Sequence, residues 1–212
     1  MSRQQYTVYE LYHTLQGEGA RTGRPAVFCR FAGCNLWSGR EEDRARAACY
    51  FCDTDFVGTG GPGGGTFAGA TALAGAIAAT WPDTARDPYV VFTGGEPLLQ
   101  LDDEVIDACH ERGFEVAVET NGTIEAPGGI DWICVSPKPN SPWIQKSGDE
   151  LKLVFPMEVV PDGLDRLDFE HFYLQPLDGP DLEANTEAAR EWCRRHPPWQ
   201  LSLQTHKLLG IL

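Results

Sequence analysis

YVVFTGGEP, residues 89 to 97, joins an unbroken apolar run to a glycine turn. The run is β-branched and aromatic with no polar alternation, the pattern of a strand buried on both faces in a parallel sheet. The same junction recurs along the chain. EVAV runs into ETNG (Glu119–Gly122), WICV into SPK (Ser136–Lys138), FYL into QPLD (Gln175–Asp178) and LSL into QTHK (Gln204–Lys207). Parallel strands place their C-terminal ends on one rim, and in α/β barrels that rim carries the chemistry. About six such strands are countable, and 212 residues fall short of the ~250 usual for eight units. The expected fold is therefore α/β, a single domain over 1–212 built as an incomplete TIM-like barrel of about six parallel strands. A doubly wound open sheet is the alternative.

Outward from this stretch the elements alternate. Ala70–Trp81 reads as a helix ended by Pro82, and Asp102 can cap a helix that buries Val105, Ile106 and Cys109 before Gly113 closes it. Glu150–Phe155 reads as a strand in which Lys152 alternates with Leu151 and Leu153, so Lys152 faces either a site or solvent. A last helix spans about Asn185–His196, with Ala188, Ala189, Trp192 and Cys193 inward. Near the start, VYELYHTLQGEG reads as a strand entering a glycine-hinged loop, and Pro25 opens a second strand, AVFCRF. GTGGPGGG (Gly58–Gly65) lacks the ending of a P-loop and reads as a linker or lid.

Between those first strands and the helical half lies CNLWSGREEDRARAACYFCDTD, residues 34–55. Cys34, Cys49 and Cys52 are spaced C-x14-C-x2-C, with a charged, alanine-rich surface helix expected between the first two. Structural zinc sites and ordinary iron–sulfur carriers take four protein ligands, whereas a reactive metal site keeps one position open. Three thiols without an obvious fourth suggest an iron–sulfur cluster with one free iron. A zinc knuckle using His or Asp as fourth ligand, or three unrelated buried thiols, are the alternatives.

Seven cysteines, an odd count without an export signal, predict a reducing cytoplasm and no disulfide framework. The formal net charge of −14 repels phosphate backbones, and no basic stripe with aromatics offsets it. A nucleic-acid partner is disfavoured and a small molecule preferred. The most apolar helical run is too short for a bilayer, so no membrane role is expected.

A cysteine triplet after an early strand, followed by GGEP after the next, resembles the radical S-adenosylmethionine superfamily of partial-barrel enzymes. The wider pattern, LQGEG, CRFAGCNLWSGRE, CDTDF, TGGEP, ETNG, SPK, QPLD and QTHK, resembles its 7-carboxy-7-deazaguanine synthase family, in the variant with a long cysteine gap. The resemblance implies conversion of 6-carboxy-5,6,7,8-tetrahydropterin to 7-carboxy-7-deazaguanine, by hydrogen abstraction at C6, ring contraction and loss of ammonia, towards queuosine-type bases. It implies a [4Fe-4S] cluster on Cys34, Cys49 and Cys52, S-adenosylmethionine on the open iron, and Mg2+ at Thr54. Phe51, Cys52, Asp53, Gly95, Glu119, Asn121, Ser136, Pro137, Lys138, Gln175, Pro176, Leu177 and Asp178 match the cofactor's surroundings. Leu15, Gln16, Gly17, Arg30, Thr93 and the final carboxylate at Leu212 match the pterin site. Expected partners are an electron donor such as flavodoxin or ferredoxin and a second copy in a homodimer. A glycyl-radical activating enzyme and a non-enzymatic zinc or iron–sulfur module are the two other classes left open. His206 is the one histidine on the rim.

Overall fold

The computed structural model describes residues 4–157 and 162–211. Nine strands form one mixed sheet in the order β3-β1-β2-β4-β5-β6-β7-β8-β9. They are β1 Gln5–Leu15, β2 Pro25–Phe31, β3 Gly65–Ala68, β4 Tyr89–Gly94, β5 Glu115–Thr120, β6 Trp132–Val135, β7 Ser147–Phe155, β8 Asp168–Pro176 and β9 Trp199–Leu201. From β2 through β4 to β9 every neighbouring pair is parallel. The parallel run holds seven strands, one more than the six counted in the sequence, because β2 joins it. β1 and β3 are antiparallel additions. The sheet is open, not closed: β3 and β9 are its two edges.

It is nevertheless strongly curled. Seven strand steps separate β1 from β9, roughly 34 Å in a flat sheet. Yet the backbone N–H and hydroxyl of Thr205, four residues past β9, both donate to the carbonyl of Gly17, two residues past β1, at 2.9 Å. Six residues of extended chain reach only about 20 Å, so the sheet itself must bend to bring its ends together.

The helices α1 Ala70–Thr80, α2 Asp103–His110 and α3 Leu182–Arg195 cover the convex face. α1 and α2 pack on Val27, Cys29, Phe31, Val90, Phe92, Val116 and Val118. α3 packs its Ala189 against Leu151, Leu153, Phe172, Leu174 and Trp199. Asp102 caps α2 as expected, accepting from Val105 N–H at 3.1 Å. A fourth helix, α4 Thr205–Leu209, lies where QTHK reads as a plain turn.

The glycine stretch 58–65 is not a loose linker. Gly61 N–H donates to Tyr9 O (3.0 Å), Leu11 N–H donates to Pro62 O (2.7 Å), and Gly65 starts β3. A Cβ at Gly61 or Gly64 would run into the β1 backbone at Tyr9. Glycine is there because two backbones touch, a close approach that any side chain would prevent.

Candidate active site

Strand polarity puts Phe31, Gly94, Thr120, Val135, Phe155, Pro176 and Leu201 at one rim, and the polar motifs follow directly from them. One cavity of about 440 Å3 opens there. It runs from the rim down the concave face, where strand alternation sends the side chains opposite to the helix-facing ones. Arg30 pairs with Thr93 in register, Glu119 with Cys134, and Cys134 with Glu150, so these inward positions run across the parallel strands. Lys152 stands two residues above Glu150 on β7.

The cysteine loop forms one wall. Cys34, Cys49 and Cys52 all line the cavity. The charged segment between them is a 3-10 helix, Glu41–Arg46, whose Arg44 donates to Tyr50 O and Cys52 O at 2.9 Å and so ties the ends of the loop together. Gly95 seats the loop on the sheet: a Cβ there would collide with Gly33 O and the Cys34 Cβ. The hydrogen bond from Cys49 draws the Cys52 thiol down to about 6, and the same pairing, with burial, pushes the Cys49 thiol up. Among the described residues no three His, Cys, Asp or Glu side chains gather as around a single ion.

Glu96 of GGEP joins two rim motifs. Fully buried, its carboxylate accepts from Thr120 Oγ1 (2.7 Å), Asn121 N–H (2.8 Å) and Leu98 N–H (3.0 Å). Burial raises its pKa, and those three donors work against the rise. Asn121 in turn donates to Asn35 beside Cys34, at 3.0 Å.

The floor is a charged network. The segment 16–24 leaves β1 and folds over the concave face, presenting Gln16 and Glu18 to it. Glu18 accepts from Lys152 Nζ at 2.6 Å and from Gln175 and Gln204 at 3.0 Å each. Burial alone would raise the Glu18 carboxyl, but the Lys152 ammonium, with the Gln204 amide, holds it at about 2. Burial likewise works against the Lys152 charge, and the acidic groups around it, Cys134, Glu119, Glu18 and Glu150, outweigh that, so its pKa is raised. Gln16 Nε2 donates to Glu119 Oε1 at 2.9 Å. Below, Arg21 and Arg24 cover the Tyr89 and Trp132 rings and pair with Glu115, closing the far end of the concave face.

Of the residues singled out in the sequence, Leu15, Gln16, Gly17, Arg30, Cys34, Cys49, Phe51, Cys52, Asp53, Thr54, Thr93, Gly95, Glu119, Asn121, Ser136, Lys138, Gln175, Pro176, Leu177 and Asp178 line this cavity. Pro137, buried, lies between two of them without lining it. Leu212 lies outside the described residues. Arg30 donates from Nε to Glu10 Oε1 at 2.7 Å, a partner the sequence did not suggest. Gln175 is committed to Glu18 and to Ser202, whose hydroxyl donates to Gln175 Oε1 at 3.2 Å. Glu18, Glu96, Gln204 and Lys207 were missed. The alternation around Lys152 left a site and solvent both open; the structure puts Lys152 in the cavity lining, together with His206, which packs on Gly17.

A cysteine triplet walling a cavity on the C-terminal rim of a curled parallel sheet defines a class, the radical S-adenosylmethionine enzymes. Comparison with known proteins narrows it. The chain is 63% identical over 207 residues to the 7-carboxy-7-deazaguanine synthase of Caulobacter vibrioides, covering 97% of this chain and 99% of that one. It is equally similar, 63% over 207 residues with the same coverage, to the enzyme of that name from Bordetella pertussis. The crystal structure of QueE from Escherichia coli superposes with a TM-score of 0.69 at 28% identity, covering 94% of each chain. No family model matches. The chain belongs to the 7-carboxy-7-deazaguanine synthase family, a family of lyases that use a [4Fe-4S] cluster and S-adenosylmethionine. The readings as a glycyl-radical activating enzyme or a non-enzymatic metal module give way to it.

Proposed function

We propose that this enzyme converts 6-carboxy-5,6,7,8-tetrahydropterin to 7-carboxy-7-deazaguanine with loss of ammonia, a step in queuosine-type deazapurine synthesis. One observation carries the reading: a single cavity brings the three cysteines together with both the cofactor-type and the pterin-type side chains. Cys34, Cys49 and Cys52 hold the cluster. When bound, cluster and S-adenosylmethionine together supply a 5′-deoxyadenosyl radical that takes hydrogen from the pterin.

The chain's own residues bind, orient and exclude water. Phe51, Asp53, Gly95, Asn121, Ser136–Lys138 and Gln175–Asp178 surround the cofactor at the rim; Lys138 Nζ already bonds Ser136 Oγ at 2.7 Å, which fixes that motif. Deeper in, Leu15–Gly17, Arg30 and Thr93 form the pterin site, completed by the Leu212 carboxylate. Glu10 takes Nε of Arg30 and Tyr12 also bonds its side chain, which holds the guanidinium at the cavity wall, where its remaining N–H groups bind the pterin's C6 carboxylate. That contact orients C6, the carbon that reacts. Thr54, two residues past Cys52 on the cavity wall, would ligate Mg2+ through its hydroxyl, and the ion would supply charge to the bound substrate. Closure of the far end by Arg21 and Arg24 keeps the floor out of bulk water, where a radical would be quenched.

The curl of the open sheet supports a partial-barrel description. No helix among the described residues is long and apolar enough to cross a membrane; a cytoplasmic homodimer served by flavodoxin or ferredoxin completes the proposal. The test is anaerobic incubation of the reconstituted holoenzyme with reductant, S-adenosylmethionine, Mg2+ and the carboxypterin. The expected result is a product of the deazaguanine mass with stoichiometric ammonia. Cofactor cleavage with the pterin left intact would overturn the reading.

A further inference from the structure

The floor network contains one carboxylate that the protein does not use up. Glu18 is saturated: Lys152 holds one oxygen, and Gln175 and Gln204 hold the other. Glu150 accepts from Ala20 N–H at 2.9 Å and from the Cys134 thiol at 3.5 Å. Glu119 differs. Its Oε1 takes the Gln16 amide at 2.9 Å and faces Lys152 Nζ at 3.6 Å. Among the described residues no protein donor bonds its Oε2, and the side chain, 24% exposed, opens into the cavity.

A carboxylate with a free oxygen, anchored on one side, suits a ligand edge carrying adjacent N–H donors. The 2-amino-4-oxopyrimidine ring of a pterin has one: the 2-amino group beside N3–H. We propose that Glu119 reads this edge of the substrate and that Lys152 is its positioning residue, through an ammonium clamped between Glu18 and Glu119. The idea rests on the pterin reading above and goes beyond it by naming the group that selects a 2-amino ring. It also moves Glu119 away from the cofactor ribose, the role the family resemblance gives it. Two observations favour the move: Glu119 bonds Gln16 of the pterin set, and it lies on the inner face of β5, level with Cys134 and beneath the rim. Lys152 is buried, with its side chain 6% exposed, so its charge is fixed in place and not solvated.

The experiment is anaerobic calorimetry on the holoenzyme with 6-carboxytetrahydropterin and with its 2-oxo analogue, which presents an acceptor where the amino donor was. The intact enzyme is expected to prefer the 2-amino ring by about 100-fold or more, because the wrong edge sets an oxygen against the carboxylate once the ligand covers it. Glu119→Gln, isosteric and able to donate, should shrink the preference to within about tenfold while S-adenosylmethionine affinity stays within about twofold. Lys152→Met should narrow the same ratio, and Lys152→Arg should restore part of it. A purely structural lysine would lower the folded fraction without altering the ratio. If Glu119→Gln weakens S-adenosylmethionine binding and spares the 2-amino preference, the carboxylate serves the ribose and the inference is wrong. If the intact enzyme binds neither ring, the pterin reading itself fails.

Discussion

Strand β7 shows two kinds of burial side by side. On the convex face Leu151 and Leu153 are sealed against α3, in a cluster of aromatic and aliphatic side chains. On the concave face Glu150 and Lys152, which alternate with them along the strand, are nearly as inaccessible, yet they are charged or titratable and enclosed by more of the same. A leucine gains free energy by leaving water; a carboxylate or ammonium loses it and stays only where partners are arranged to compensate. The convex face therefore accounts for folding. The concave face costs stability, and the return is a set of fixed charges around a cavity. Mutations on the two faces should separate stability from chemistry.

The largest effect belongs to the rim above the concave face. Replacing Cys34, Cys49 or Cys52 by Ala should abolish the brown [4Fe-4S] absorption and all radical turnover, with thermal stability of the cluster-free protein nearly unchanged. Cys193→Ala, behind the convex face with the α3 cluster, should keep both. Equal loss from the Cys193 variant would erase the distinction.

Leu153→Ala tests the other side. Leu153 is 1% exposed, and truncation there should cost about 2–5 kcal/mol in denaturant unfolding. Turnover per folded molecule should stay within about twofold. A catalytic defect without a stability defect would show that the two faces are coupled.

Arg30→Lys sharpens the comparison from within the cavity. A point charge cannot hold Glu10 and fork onto a carboxylate together. Loss of one charge-assisted hydrogen bond, about 1.5–3 kcal/mol, should lower kcat/KM for the carboxypterin by roughly ten- to several-hundred-fold. Pterin-independent cleavage of S-adenosylmethionine should continue. If that cleavage is lost too, the Glu10–Arg30 pair shapes the wall and does not anchor substrate.

The convex face was legible because apolar runs such as YVVFT and the cap at Asp102 state their environment locally. The rim was legible because each motif directly follows its strand. The floor was not. Whether Lys152 faces solvent or a site depends on what covers the concave face, and the cover is segment 16–24, more than a hundred residues away in sequence. Its partner Glu18 sits inside LQGEG, a stretch that reads locally as a glycine hinge. Separation in sequence also hid β3: a run of glycines looks like slack chain until the β1 backbone is found lying against it.

Thr54→Ala should weaken Mg2+ stimulation of turnover several-fold and leave the cluster spectrum intact, since the hydroxyl is a cavity-wall group with only a 3.4 Å contact to Asp53. Turnover that is the same with and without Mg2+ in the unaltered enzyme would remove the cation from the site.

The smallest effect concerns Lys207, where charge lies at the surface and not on the floor. From α4 its ammonium bonds both Asp53, beside Cys52, and Asp178 at the end of the QPLD motif, at 2.6 Å each. The three side chains are 40%, 47% and 37% exposed, so water competes for each, and such pairs contribute only about 0.2–1 kcal/mol. The hydrogen bond from Lys207 holds the Asp178 carboxyl below its usual pKa. A depressed acid stabilises the fold above its unfolded pKa, and that contribution disappears as pH falls through the folded value. Lys207→Met should therefore lower the melting temperature by only a few degrees at neutral pH. The difference should shrink in 1 M salt and vanish in acid once Asp178 is protonated. Because the lysine bridges the cluster loop to the cofactor rim, the same variant should raise KM for S-adenosylmethionine a few-fold with little change in kcat. A loss as large as that expected for Leu153→Ala would mean that this exposed cation behaves like the buried one, and exposure would no longer separate the two.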